Sequence, residues 1–373
     1  MILIELGAIF LGLALIHRLA HRLAFSPIPL VLLVGLAFGE GGLLALRLSE
    51  PFVRTTAEIG ALLLLFMLGL EYSGRELRDA LLAHFSDSLV DAFLNFTPGF
   101  LLALALGWGL PLALLMGGVT FVTSSGILAH LIDELGWEGR AEARVAVSLS
   151  ILEDLLIALL LPPVMVLFFR TGEAAIGPLA LSLLLSIAAM GTAIRYGQVL
   201  SRAIDHENEA VLLLSLFGLV LLAGGIALAL QIPAAVGAFL LGIAISDPVK
   251  ERARRLIGPV RDLSATVFFL TMGLRTDPGL LLPVLPLAVL LALATGLTKG
   301  LTGWIAAHRA GIRGWARGRA GALLIARGEL SGVIAGLVGL TLPTVTFVPL
   351  VTAYVLLSTL LGPLVVHWLP REG

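Results

Sequence analysis

The chain has 373 residues, of which 58% are hydrophobic and only 13% charged, with a mean hydropathy of +1.04 and a formal net charge of −1. So apolar a composition excludes a soluble domain, which needs a charged surface, and describes a chain whose outer face meets hydrocarbon, a lipid bilayer. Near-neutral charge speaks against nucleic acid as a partner, and the absence of cysteine removes disulfides, thiolate catalysis and thiolate metal sites.

Polar and Gly/Pro clusters divide the chain into about thirteen apolar segments, starting near residues 2, 27, 56, 86, 110, 142, 175, 208, 232, 262, 279, 316 and 344. Most approach the roughly 20 residues that cross about 30 Å of hydrocarbon. The first, Ile2 to Ile16, has no basic stretch before it and no small-residue cleavage site after it, so it reads as a retained helix and not a signal peptide. With Met1 outside, 18 of the 24 Lys and Arg residues fall in cytoplasmic loops and four on the other side, while Lys299 and Arg327 lie within spans. The positive-inside rule then predicts an outside N-terminus and a cytoplasmic C-terminus.

The fifth segment carries Thr123-Ser124-Ser125-Gly126 inside the apolar run from Pro111 to Leu131. Hydroxyls compete for helical backbone bonds and Gly loosens the helix, so a break is expected here. A break frees carbonyl oxygens, and with three hydroxyls these form the hard oxygen environment of an alkali cation. The same small residues also let helices pack closely, and that reading stays open.

The sixth segment sets Glu153-Asp154 between Ile151-Leu152 and Leu155-Leu156. Adjacent carboxylates in hydrocarbon are costly and are kept chiefly where they pair or line a watery cavity. Neighbouring positions lie about 100° apart around a helix, so the two acids are expected to take different partners, one the cation and one a base. A buried bridge that only fixes packing is the alternative. The base is Lys299 in the eleventh segment, the only lysine within a span; an intramembrane ammonium needs a carboxylate unless it snorkels to an interface.

The twelfth segment carries Arg327-Gly328-Glu329. Gly between two charges predicts a second break crossing the first at the membrane midplane, with helix dipoles beside the cation site. Arg327 and Glu329 are expected to neutralise each other. A shift of 204 residues lays Ser26-Pro27-Ile28-Pro29 over the region of Ile232-Pro233, Met67-Leu68-Gly69-Leu70 over Thr271-Met272-Gly273-Leu274, and Thr123-Ser124-Ser125 over Arg327-Gly328-Glu329. The chain thus divides into a first repeat (1–174), a linker helix (175–200) and a second repeat (201–373). An odd number of spans separates the repeats, so they enter the membrane oppositely, as in transporters. No P-loop or Gly-rich strand-to-helix fingerprint occurs, and the seven histidines lack ligand spacing, so neither enzyme activity nor a cofactor is expected.

Several stretches, in order, resemble one family. They are Ala57-Glu58-Ile59-Gly60 through Leu65 to Glu71, Gly117 to Gly126, Leu152-Glu153-Asp154-Leu155, Gly237 to Gly242, and Pro259-Val260-Arg261-Asp262-Leu263 with Phe268 to Leu274. Together they resemble bacterial monovalent cation:proton antiporters of the NapA and Kef type, whose transmembrane domain is sodium/hydrogen exchanger-like. The resemblance implies an all-α polytopic fold of NhaA-like type, about thirteen helices with two crossed discontinuous ones, in a homodimer whose core slides against a scaffold. It implies Asp154 as the principal cation and proton carrier, Ser124, Ser125 and the Thr123 backbone as supporting oxygens, and Glu153 paired with Lys299. It implies a multi-pass protein of the bacterial inner membrane. Two departures stand out: Kef-type members commonly have Gln where Glu153 stands and a nucleotide-binding domain after the transporter, whereas this chain ends at Gly373, so no regulatory domain is expected. Gly126-Ile127 also replaces the usual Thr-Ala.

The expected function is exchange of Na+ or K+ for H+ by competition at Asp154 under alternating access, electrogenic if Glu153 and Lys299 also exchange a proton. A sodium-coupled organic anion symporter would use similar architecture but needs a roomier polar cavity. A non-transporting membrane sensor leaves Glu153, Asp154 and Lys299 without a use.

Overall fold

The computed structural model of the chain describes residues 2–22, 27–39, 42, 50–71, 74–169, 188, 191–192, 195–229, 234–341 and 346–370. Among these are fourteen α-helices and no strand. In chain order they are α1 (Ile2–Arg22), α2 (Pro27–Phe38), α3 (Glu50–Glu71), α4 (Gly74–Ala105), α5 (Gly109–Phe121), α6 (Ser125–Glu134) and α7 (Ala141–Phe169). Then follow α8 (Glu209–Ala229), α9 (Ala234–Ala244), α10 (Val249–Leu274), α11 (Leu281–Arg309), α12 (Ala316–Ala322), α13 (Glu329–Thr341) and α14 (Phe347–Trp368). The linker helix expected over 175–200 lies mostly outside the described residues; 195–204 is helical.

Among the described residues, five stretches are long and apolar enough to cross a membrane unaided: 84–105, 109–134, 209–229, 278–309 and 347–368. Two helices begin well before their apolar segments. α10 starts at Val249, not near 262, because Lys250 to Arg255 are good helix formers that prolong the helix beyond its apolar part. α4 starts at Gly74 but bends at His84 (φ −133°, ψ 19°), and its apolar part follows that kink.

Along the membrane-length helix α11 the outer face is apolar and the charge faces inward. On α11, Leu297 is 76% exposed, whereas Lys299, two positions on, is fully buried. This polarity is the reverse of a soluble helix and suits hydrocarbon as the surrounding solvent.

The helices pack as two groups. In one, α10 packs on α2 and α3, and α9 packs on α3 and α8. In the other, α4 packs on α5, α7 and α11, while α11 also packs on α12 and α14, and α13 on α5 and α14. Glycines set the closest approaches, since without Cβ two backbones can touch. Gly35 meets Gly273 between α2 and α10, and Gly69 meets Gly242 between α3 and α9. In the second group, a Cβ on Gly303 of α11 would overlap the backbone of Gly321 on α12. Backbone cannot yield as a side chain can. Gly303→Ala is therefore expected to prise α11 from α12 and destabilise the protein by roughly 1–3 kcal/mol, the usual range for overpacking, read as a lower melting temperature in detergent.

Candidate ion-binding site

Both expected breaks are present, and they cross. Between α5 and α6 the backbone is extended at Val122 (φ −76°, ψ 131°) and Ser124 (φ −76°, ψ 107°). Ser124 Oγ accepts from Ile127 N at 3.3 Å and so caps α6. Between α12 and α13, residues 323–328 leave the helix. α6 starts at Ser125 and α13 at Glu329, positions related by the 204-residue shift.

Unwound backbone in a membrane must find partners within the protein. Here each break supplies the other's. Ser124 N donates to Ala326 O at 2.9 Å, and Thr123 Oγ1 donates to Leu324 O at 3.0 Å. Arg327, fully buried, donates to Thr120 O (2.8 and 3.1 Å) and to Leu324 O and Ile325 O (both 2.9 Å). Ser331 Oγ reaches Val119 O at 3.0 Å, and Thr359 Oγ1 reaches Arg327 O at 2.9 Å. Gly328 lies so close to the Ser124 side chain that a Cβ would collide with it.

The expected pair of Arg327 with Glu329 is not formed. Arg327 turns to Thr120 O of α5 and to the freed carbonyls of its own break, and Glu329 turns to the other broken helix, at Ser124 Oγ (2.7 Å) and Gly126 N (3.2 Å). The physical reason is the supply of partners. Freed carbonyls suit a guanidinium with five donors, and freed N–H groups at the α6 N-terminus suit a carboxylate.

The two acids of α7 diverge as helix geometry requires. Glu153 points to the break and the base: its Oε2 accepts from Thr123 N at 2.6 Å, and its Oε1 lies 2.8 Å from Lys299 Nζ. That second contact is a close ion pair outside hydrogen-bond alignment. The aligned bonds from Lys299 go to Asp91 on α4, at 2.9 and 3.0 Å. Asp91 is itself held by Asn95 Nδ2 at 2.9 Å, and Asn95 Oδ1 accepts from Thr298 at 2.6 Å. Lys299 Nζ also stands 5.3 Å from the centre of the Phe121 ring. Lys299, Glu153 and Asp91 are all fully buried. Asp91 was absent from the sequence expectations. Its sequence signal is an acid four residues before Asn95 in the apolar fourth segment, on the same helix face.

Asp154 points elsewhere, to two adjoining cavities. The smaller, about 40 Å³, is lined by Asp154, Thr123, Ser125, Arg261 and Glu329 and closed by leucines of α3. The larger, about 390 Å³, shares Asp154, Ser125, Arg261 and Glu329 and adds Arg254 and Ser150. From Asp154 it runs along α7 past Ser150 to Val147, towards the 135–140 connection. A water occupies about 30 Å³ of liquid, so the small cavity is of single-ion size.

The serine pair therefore divides its work. Ser125 lines both cavities with Asp154, while the Ser124 hydroxyl is taken by Glu329 and the α6 cap. Ser125→Ala is expected to raise the apparent KM for the transported cation several-fold with little change in melting temperature. Ser124→Ala should instead cost the roughly 1 kcal/mol of stability that a lost helix cap costs, read as a lower melting temperature. A similar thermal loss in both variants, with KM unchanged, would remove Ser125 from the cation's surroundings.

Comparison with known proteins gives a consistent match. The family profile described as "Sodium/hydrogen exchanger, transmembrane" matches residues 8–371. The chain is 28% identical to a K(+)/H(+) antiporter subunit, KhtU, of Bacillus subtilis, over 97% of this chain and 92% of that protein. It is 27% identical to an ammonium/H(+) antiporter subunit, AmhT, of Alkalihalophilus pseudofirmus (99% and 93%). It is also 27% identical to a Na(+)/H(+) antiporter of Enterococcus hirae (95% and 94%). Among solved structures, the sodium proton antiporter MjNhaP1 of Methanocaldococcus jannaschii superposes with a TM-score of 0.72 at 17% identity, covering 99% of both chains.

Proposed function

The chain belongs to the sodium/hydrogen exchanger transmembrane family, and from that premise we propose that it exchanges a monovalent cation for protons by competition at Asp154. The observation that carries this reading is Asp154 itself, a buried carboxylate on the wall of a single-ion cavity at the crossing of two broken helices. Thr123, Ser125 and Glu329 surround it with hard oxygens, the ligands an alkali cation prefers. A carboxylate that takes either a proton or a cation, but not both, couples the two fluxes without further machinery.

The two-group packing supports alternating access, with Asp154, Ser125 and Glu329 on one group and Arg254 and Arg261 on the other. We read the group that carries Asp154 as a mobile core and the group that carries Arg254 and Arg261 as the scaffold of an elevator, in a homodimer. The pseudo-equivalent starts of α6 and α13 support two inverted repeats, 1–174 and 201–373. The 135–140 connection and the α11–α12 connection share one end of the bundle, because Arg319 of α12 pairs with Glu142 of α7 at 2.9 Å. That end gathers Arg140, Arg144, Arg309, Arg313, Arg317 and Arg319, and the positive-inside rule makes it cytoplasmic. The larger cavity opens towards it. The relatives' names divide among K+, ammonium and Na+, so all three belong in the assay.

Purified protein in liposomes containing a pH-sensitive dye should show proton movement on addition of at least one of Na+, K+, Li+ or ammonium. Silence with all four across pH 6 to 9 would overturn the proposal. The 390 Å³ cavity falls in the range of small-molecule sites, about 300–1,000 Å³, which keeps organic anion symport as a second reading. Sodium-dependent uptake of a labelled carboxylate, without cation-driven proton movement, would favour it.

A further inference from the structure

The cavity beside Asp154 contains a feature that cation binding does not require: two arginines. Arg254 and Arg261 both come from α10, seven positions apart and so on one face of the helix. Opposite them stand Asp154 and Glu329. Arg254 is committed, since its guanidinium donates to Leu70 O at 2.7 Å. Arg261 is held by its neighbour Asp262, with Nε and a terminal nitrogen 2.8 and 2.7 Å from one carboxylate oxygen. That pair is loose, because the Asp262 side chain is 65% exposed, and solvent-exposed pairs restrain little. Arg261 also lines the small cavity, where Arg254 does not.

We propose that Arg261 is the charge-selectivity residue of this site, a tethered cation that leaves room for one monovalent ion and turns divalent ions away. Two carboxylates with hydroxyl and carbonyl oxygens would otherwise form a good site for Ca2+ or Mg2+, which hard oxygen ligands of double negative charge favour. One guanidinium beside them reduces the charge offered to a visiting ion from two to one. A monovalent cation balances that charge, and a divalent one overshoots it in surroundings of low dielectric, where the mismatch is costly. The same guanidinium competes with the monovalent cation for Asp154 and Glu329. Binding is thereby weak enough for the ion to leave, as transport needs. Arg261 sits on the helix group opposite the carboxylates, so its grip on the site changes as the two groups move.

The inference rests on the proposed exchange and is tested beside it. In dye-loaded liposomes, wild type and Arg261→Gln are compared for exchange of Na+, K+ and ammonium, alone and with millimolar Mg2+ or Ca2+. Arg261→Gln is expected to lower the apparent KM for the monovalent cation about tenfold, to lower maximal rate through slower release, and to gain block by divalent ions. Arg261→Lys, which keeps the charge, should retain divalent rejection. Asp262→Asn, which frees the guanidinium to face the cavity, should shift KM the opposite way, upward, and it serves as the test should Arg261→Gln fail to fold. An exchanging wild type with KM and divalent response unchanged in Arg261→Gln, or a KM unmoved in Asp262→Asn, overturns this inference and leaves the exchange reading intact. A folded wild type that exchanges nothing overturns both.

Discussion

Asp154→Asn is expected to reduce cation-driven proton movement to the level of empty liposomes while the melting temperature and elution volume stay those of the wild type. The substitution keeps shape and volume on a cavity wall, where it creates no void and no clash. What it removes is the carboxylate that holds a proton in one half-cycle and a cation in the other; Glu329, the second carboxylate there, stays bonded to Ser124 and Gly126. A neutral amide can still offer an oxygen to an ion, so weak cation binding can persist. Without the Asp154 carboxyl, that binding displaces no proton. Binding and coupling therefore separate in this variant: isothermal titration can retain a weakened cation signal while the dye assay is silent. Clear cation-dependent proton movement by Asp154→Asn would shift the coupling role to Glu329, the other carboxylate of the small cavity.

The features legible in the sequence were those carried by cost. Charges inside apolar segments are rare enough that Glu153, Asp154, Lys299, Arg327 and Glu329 stood out at once, and all lie at or beside the crossing. The breaks were legible for a related reason, since hydroxyls and Gly weaken a helix at 123–126 and 327–329. Partner choice was harder to read. That Lys299 takes a carboxylate of the sixth segment follows from charge, and that it is Glu153 from the family resemblance, but Asp91 follows from neither, because an acid near the start of a segment beginning near residue 86 passes for an interfacial residue. The Arg327–Glu329 pair looks sensible along the chain, yet the folded crossing offers Arg327 the carbonyls of Thr120, Leu324 and Ile325, and offers Glu329 Ser124 Oγ and Gly126 N. The place of Arg261 at the site is hidden for the opposite reason: charged turns at 250–262 look like a cytoplasmic loop, and only the packing of α10 against the core brings that turn to the ion cavity. Distances across the bundle are set by glycine contacts such as Gly35 with Gly273, which hydropathy does not encode.

The largest stability effect is expected at Lys299, and it follows from a charge count. Asp91 and Glu153 both face the single ammonium of Lys299, and all three are fully buried. With every group ionised the cluster carries one surplus negative charge, and one proton neutralises it. Lys299→Gln leaves two carboxylates uncompensated, and breaking a buried pair by removing one partner costs about 3–5 kcal/mol. Glu153→Gln does the reverse: it leaves a neutral Asp91–Lys299 pair with its aligned bonds at 2.9 and 3.0 Å, so it should cost little. Asp91→Asn also leaves a neutral pair, but the less aligned one, and it disturbs Asn95, whose amide donates to Asp91. The expected order of melting temperatures is thus Glu153→Gln highest, Asp91→Asn lower and Lys299→Gln lowest. Two double-mutant cycles sort the partners. Lys299→Gln combined with Asp91→Asn, and with Glu153→Gln, should each recover part of the loss of the single lysine variant, because each removes an uncompensated charge. Strictly additive effects in both cycles would show that Lys299 is held by packing and the Phe121 ring, not by the acids. Transport then separates structure from mechanism. If this cluster carries a second proton, current measured on a supported membrane should fall in Glu153→Gln while cation-driven proton exchange through Asp154 persists, since that variant starts neutral and has no proton left to gain. Undiminished current in a stable Glu153→Gln protein would confine the cluster to holding α4, α7 and α11 together.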